Sequence, residues 1–458
     1  MQPQEGRVHE TWSSRLAFLL AAIGAAVGLG NLWKFPYTAG VSGGSAFVLI
    51  YVVAIAAIAI PIVMAELLIG RRGRMSPPNS MRKLSEMAGA GSKWRFVGWM
   101  NITAVFLILT FYSVIAGWGL AYIPKLATGI FQGASPAEVQ TEFEGLLGSV
   151  YLLMFWHALF MGITIYIVGR GVQRGIERAV KLLMPLLFLL LLILLGYAMV
   201  VGDFAAAWSF LFDFDFSKIT AGVVLAAVGQ AFFSVSVAMG LLMIYGAYLP
   251  ANVSIPRASA IIATADTLVA ILAGLVIFPI VFQNNLDPAQ GPGLIFVTLP
   301  IAFGSMPAGS LFGLIFFVLL VFAAVTSSIA IMEPMVAWAE EHKGMPRSFS
   351  AMIVGGLAWL VGLLTVFSFN IWSDVRPLQG FGFFEDKTIF DLIDHLATNI
   401  LLPLGGIFIA VFAGWVMAKK DTLEELQLAD SGYYRMWQFL VRIVAPVAVA
   451  AVLVANIV

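Results

Sequence analysis

The sequence predicts an all-α polytopic membrane protein with eleven transmembrane helices. Two observations carry that reading. Of 458 residues, 61% are hydrophobic and 11% charged, whereas an ordinary soluble domain is about a quarter charged. Apolar runs of about 20 residues recur along the chain, each long enough to cross about 30 Å of hydrocarbon as a helix. A soluble globular enzyme is excluded. Lys plus Arg and Asp plus Glu number 25 each, so no basic excess marks a nucleic-acid partner. The absence of cysteine removes disulfides, thiolate metal sites and thiol nucleophiles. The four histidines, His9, His157, His342 and His395, are not spaced like the ligands of a metal site or a haem.

In chain order, the spans are expected at 14–38, 45–70, 96–124, 149–168, 178–201, 219–248, 258–283, 310–340, 349–369, 396–418 and 436–457. The first follows a polar stretch and runs without a cleavage site into Gly-Leu-Gly-Asn-Leu-Trp-Lys-Phe-Pro (28–36), so it reads as a span and not as a cleaved signal peptide. The segment 291–307 is apolar but interrupted by Gly291, Pro292, Gly293, Pro300 and Pro307; it reads as a partly buried external loop. No loop is long enough to bury a core of its own, so residues 1–458 are expected to form one transmembrane domain.

Orientation follows from the basic residues of the short loops, which stay on the cytoplasmic side. Arg71, Arg72, Arg74, Arg82, Lys83, Lys93 and Arg95 follow span two, and Arg170, Arg174, Arg178 and Lys181 follow span four. The loop between them carries Glu138, Glu142 and Glu144, and the next external loop Asp203, Asp213 and Asp215. The N-terminus is therefore expected inside and the C-terminus outside.

Polar residues interrupt the spans. Span one holds Gly24, Gly28 and Gly30, then Asn31, Lys34 and Pro36. Gly24-x-x-x-Gly28 alone suits close helix packing. A charge near the bilayer centre costs at least about 2.5–3.5 kcal/mol, however, so Lys34 calls for water or an acidic partner. A helix broken at mid-membrane offers free amides and carbonyls, but only where it lines a cavity. Span six repeats the pattern with Gln230, Ser234, Ser236 and Gly240. Two interrupted segments five spans apart suit a transporter of two five-helix repeats with its site between them, about 14–201 and 219–418, with an extra helix at 436–457. Glu66, Asp266 and Glu333 are intramembrane acids, each a functional candidate or a tie between helices. Thr326-Ser327-Ser328 offers hydroxyls that either bond back to the preceding turn or serve a hard cation, which prefers oxygen ligands.

Residues 28–36, Gly43-Gly44-Ser45-Ala46-Phe47, Thr326-Ser327-Ser328-Ile329-Ala330 and Glu333-Pro334, in this order, resemble the neurotransmitter:sodium symporter family over essentially the whole chain. The resemblance is to the shorter bacterial members, and it implies the inverted-repeat fold with helices one and six broken, in a bacterial inner membrane. It also implies two sodium sites. The first would use Ala26, Asn31, Ser234, Asp266 and the substrate carboxylate; the second would use Gly24, Val27, Ala323, Thr326 and Ser327. Tyr112 would bond the substrate carboxylate, with amides from Leu29 and Gly30 at the positive end of a half-helix. The substrate side chain would face Ile108, Phe233, Ser236, Met239 and Ile331. At Gly28, amine-transporting relatives carry an aspartate, so glycine favours an α-amino acid.

The resemblance further implies an outer gate of Lys34 with Asp394, where the family usually has arginine; lysine lacks the planar bidentate geometry. Trp12 and Glu341 match inner-gate positions, while the expected arginine falls at His9, with Arg7 nearby. The function expected is sodium-coupled import of neutral, mainly hydrophobic L-amino acids by alternating access, independent of chloride because Asp266 carries the charge. The chain would be no enzyme, and its partners would be a small amino acid and membrane lipid. The alternatives are a ligand sensor or channel on the same scaffold, a transporter of another small zwitterion, or proton-coupled or uncoupled transport.

Overall fold

The computed structural model describes residues 10–288 and 293–457. It is helical throughout, as the composition demands: in hydrocarbon every backbone group must be paired within the protein, and a helix does this along its own length. Among the described residues, nine helices are long and apolar enough to span: Ser45–Gly73, Ser92–Ala127, Val150–Gly169, Val172–Val201, Ile255–Gln283, Gly309–His342, Arg347–Ser368, Ile389–Val416 and Gly432–Ile457. These are spans two to five and seven to eleven.

The remaining two are broken. Span one is Arg15–Ala26 followed by Gly30–Val41, bent by 48°. Its first half opens at Ser14, whose side chain accepts from the Ala17 amide at 3.1 Å, and ends where Val27 turns extended. Gly28 N–H then bonds to the Asn31 side-chain oxygen at 3.0 Å, in place of a carbonyl one turn back. Span six is Ala221–Ser234 and Leu241–Ala247. Its longer half has 14 residues, a rise of about 21 Å, so neither half crosses alone. Between them Ser236, Ala238 and Gly240 take the left-handed conformation, with φ of 56°, 64° and 71°.

Span two runs beside both halves of span six, span eight packs along span three, and the first half of span one lies against spans five, seven and eight. The two breaks thus face a common centre. The segment expected to be an external loop at 291–307 is instead helical from Leu294 to Ser305, with Leu294 to Leu299 buried. Tyr122 donates to the Phe296 carbonyl at 2.6 Å, and Trp118, Phe143 and Phe317 surround the Phe296 ring. Pro300 lies where the π-turn Leu294–Thr298 passes into the α-turn Leu299–Ser305, a local widening of the kind found where the regular helical ladder is interrupted. Of the breakers that suggested a loop, Pro300 sits within the helix and Pro307 follows its end, while Gly291 and Pro292 lie outside the described residues.

Candidate transport site

At the centre, Asn31, Ser234 and Asp266 converge from spans one, six and seven, each buried. The Asn31 amide donates to Asp266 Oδ1 at 2.7 Å and to Ser234 Oγ at 3.1 Å, and Ser234 donates to Asp266 Oδ2 at 2.7 Å. Tyr51 of span two adds its hydroxyl to Ser234 at 3.1 Å and to Asp266 at 3.4 Å. Asp266 is fully buried, and a charge so placed needs partners or a cation. Tyr51 went unnoticed in the sequence because it stands in an otherwise apolar run; the signal available was that a buried tyrosine needs a partner for its hydroxyl. Gln230 bridges the two breaks by donating to the Gly30 carbonyl at 3.1 Å.

The second oxygen cluster lies where span eight meets the first break. Ser327 Oγ donates toward the Gly24 carbonyl at 3.2 Å and the Val27 carbonyl at 3.1 Å. Thr326 Oγ1 bonds back to the Phe322 and Ala323 carbonyls, each at 3.1 Å. Gly24, Val27, Ala323, Thr326 and Ser327 are therefore brought together, and the back-bonded hydroxyl and the cluster member are the same Thr326.

A small cavity lies between the two clusters. It is bordered by Ala26, Leu29, Gly30, Ile108, Tyr112, Phe233, Ser234, Ser236, Met239 and Ile331, and also by Gly28 and Ser327. The Leu29 amide donates to Tyr112 Oη at 3.4 Å. A Cβ on Gly28 would lie 2.5 Å from Ser327 Oγ and 3.0 Å from Tyr112 Oη, so a side chain at 28 would displace both. Phe233 separates this cavity from a wider vestibule, lined by Trp33, Lys34, Tyr37, Phe111, Phe390 and Asp394 among others. Lys34 Nζ sits 4.0 Å from the Phe233 ring centre. Lys34 and Asp394 face the same vestibule without forming an ion pair within 4.0 Å, and Asp394 accepts from Thr398 at 3.2 Å.

At the opposite end of the bundle, Trp12 packs into span six. The Trp12 indole donates to the Tyr245 carbonyl at 3.1 Å, its backbone N–H to the Tyr248 carbonyl at 3.2 Å, and its ring packs edge-on against Tyr245. Glu341 accepts from the Ser76 amide at 2.6 Å, from the Ser76 hydroxyl and from Asn79, so it ties span eight to the loop after span two. His9 and Arg7 lie outside the described residues. Of the other acids, Glu333 pairs with Arg347 and accepts from Tyr248 at 2.7 Å, away from the cavity. Glu66 is buried against the backbone of Ala238 and Gly240.

A bundle of membrane helices whose first and sixth members break around a central, gated cavity is the architecture of a transporter, and this chain belongs to the sodium:neurotransmitter symporter family. A sequence model of that family matches residues 9–132 and 147–458. The chain is 36% identical over 444 residues to the uncharacterised sodium-dependent transporter YhdH of Bacillus subtilis strain 168, covering 96% of both chains. It is 33% identical over 455 residues to an uncharacterised sodium-dependent transporter of Haemophilus influenzae, covering 98% of both. Among solved structures, the crystal structure of MhsT in complex with L-phenylalanine superposes with a TM-score of 0.89 at 42% identity, covering 98% of this chain and 100% of that one.

Proposed function

We propose that this protein is a sodium-coupled symporter importing neutral, mainly hydrophobic L-amino acids across a bacterial plasma membrane, N-terminus inside. The observation that carries the reading is the cavity itself, with an oxygen cluster on either side. Sodium is a hard cation and takes oxygen donors. Asp266, Ser234, Asn31 and Ala26 would hold one ion next to the substrate carboxylate; the Gly24, Val27 and Ala323 carbonyls with Thr326 and Ser327 would hold the other. The names of the bacterial relatives as sodium-dependent transporters support the ion.

The substrate reading rests on three features. Gly28 carries no side chain, so the Tyr112 hydroxyl is left bordering the cavity, where it can meet a carboxylate. The Leu29 and Gly30 amides begin a half-helix whose positive end favours an anion. The wall formed by Ile108, Phe233, Met239 and Ile331 is apolar, and a charged side chain buried there would go uncompensated. The phenylalanine bound by MhsT fits this class. Substrate completing the first sodium site would couple the two ligands, since each then raises the other's affinity by the same factor. Phe233 and the Lys34–Asp394 pair would close the outside, and release of the Trp12 contacts would open the inside. Asp266 supplies a fixed negative charge, so chloride is not required.

The test is equilibrium binding to purified protein. Labelled leucine or phenylalanine should bind with an affinity that rises at least tenfold as sodium replaces choline, with no change when gluconate replaces chloride. Binding indifferent to sodium would reject the reading.

A further inference from the structure

The unwound segment of span six carries Met239, a wall of the cavity, yet two of its residues pay for left-handed backbone without being glycine: Ser236 at φ 56° and Ala238 at φ 64°. Such a conformation costs an L-residue roughly 1–2 kcal/mol and persists only where the surroundings over-determine it. The surroundings are visible at Ala238. Asn101 of span three, 1% exposed, donates its amide to the Ala238 carbonyl at 2.7 Å. Beside it span ten presents Gly405 and Gly406: a Cβ on either would lie 3.5 Å from the Ala238 methyl, and one on Gly405 would lie 3.2 Å from the Ala238 carbonyl. Asn101 Oδ1 finds no partner, so the side chain's single bond is the one to Ala238.

Asn101, Ile108 and Tyr112 stand at i, i+7 and i+11 of one continuous helix, which places them on one face, with Asn101 about 10 Å along the axis from Ile108. Span three therefore contributes one wall of the cavity directly and fixes the opposing wall through Asn101. We propose that Asn101 is a positioning residue for substrate selectivity: by holding the Ala238 carbonyl it sets how far Met239 reaches into the cavity and hence which side-chain sizes are accepted. This rests on the amino-acid reading above but assigns a role to a residue that touches neither substrate nor ion.

The experiment compares wild type with Asn101→Leu, which keeps the volume and removes the donor, and with Asn101→Ser as a second variant should the first not fold. KM and maximal rate per folded transporter are measured for alanine, leucine, phenylalanine and tryptophan, together with the sodium concentration for half-maximal uptake. Loss of one buried hydrogen bond should change the alanine-to-tryptophan KM ratio about fivefold, the equivalent of about 1 kcal/mol, while sodium half-saturation stays within twofold. A merely structural role would lower the maximal rate for all four substrates alike and leave the ratio unchanged; that result overturns the proposal. Amide hydrogen exchange at 235–240 supplies a readout independent of transport. Faster exchange in Asn101→Leu than in wild type is expected, and unchanged exchange overturns the proposal even if wild type carries no amino acid, an outcome that would itself reject the substrate reading separately.

Discussion

Ser327 shows how much a single hydroxyl carries. It bonds the carbonyls of Gly24 and Val27 and also lies in the path of any side chain on Gly28. In Ser327→Ala or Thr326→Ala, the proposed second sodium site loses one of its oxygens, and sodium half-saturation should rise about tenfold or more, roughly one charge-assisted contact; a sodium titration of uptake measures it. Gly28→Ala should abolish uptake, because a Cβ 2.5 Å from Ser327 Oγ forces that hydroxyl off its carbonyls; retention of wild-type rates would contradict the geometry. Asp266 is the remaining case. At about 4 Å and an effective dielectric near 20, a carboxylate contributes about 4 kcal/mol to holding a cation, so Asp266→Asn should lose sodium-driven uptake, and added chloride should restore part of it. A chloride requirement in the wild type would reject the account.

Among the elements, the two broken helices were the most legible from sequence, because Asn31 and Lys34, and Ser234 and Ser236, are polar residues in runs that otherwise belong to lipid. Their partners were less so. Tyr51 and Asn101 sit in spans whose apolar pattern hides them, and nothing in the spacing tells which neighbour a buried hydroxyl or amide meets. The helix Leu294–Ser305 was misread as a loop because Gly291, Pro292, Gly293, Pro300 and Pro307 read as breakers, whereas Pro300 is carried within the helix where a π-turn passes into an α-turn. Lys34 and Asp394 line one vestibule, but no residue pattern reports whether such charges touch. The break in span six makes its own prediction. Met239 is unbranched and adapts to different side chains; Met239→Phe should narrow the range, weakening tryptophan and phenylalanine at least fivefold relative to alanine in competition, with sodium half-saturation unchanged.

For the whole molecule, the vestibule reaches Phe233 from one side and the Trp12 contacts close the chain on the other; under the proposed orientation this is an outward-facing arrangement. Trp12 ties the start of span one to Tyr245 and Tyr248 at the end of span six, the contact proposed to close the inside. Its truncation removes about 3 kcal/mol of packing, enough to shift a two-state equilibrium by more than tenfold toward the inward-open form. The chain has no cysteine, so a cysteine introduced at the buried Ala247 is a clean reporter: in Trp12→Ala it should react with a cytoplasmic thiol reagent several-fold faster, and unaltered reactivity would count against Trp12 as the inner closure. The central claim, coupling of sodium to amino-acid movement through one alternating site, is tested most directly by uptake of a labelled leucine or phenylalanine into proteoliposomes with and without an inward sodium gradient. The account predicts transient accumulation above the external concentration that collapses when sodium is equal on both sides or replaced by choline; accumulation or equilibration at the same rate in choline would contradict it.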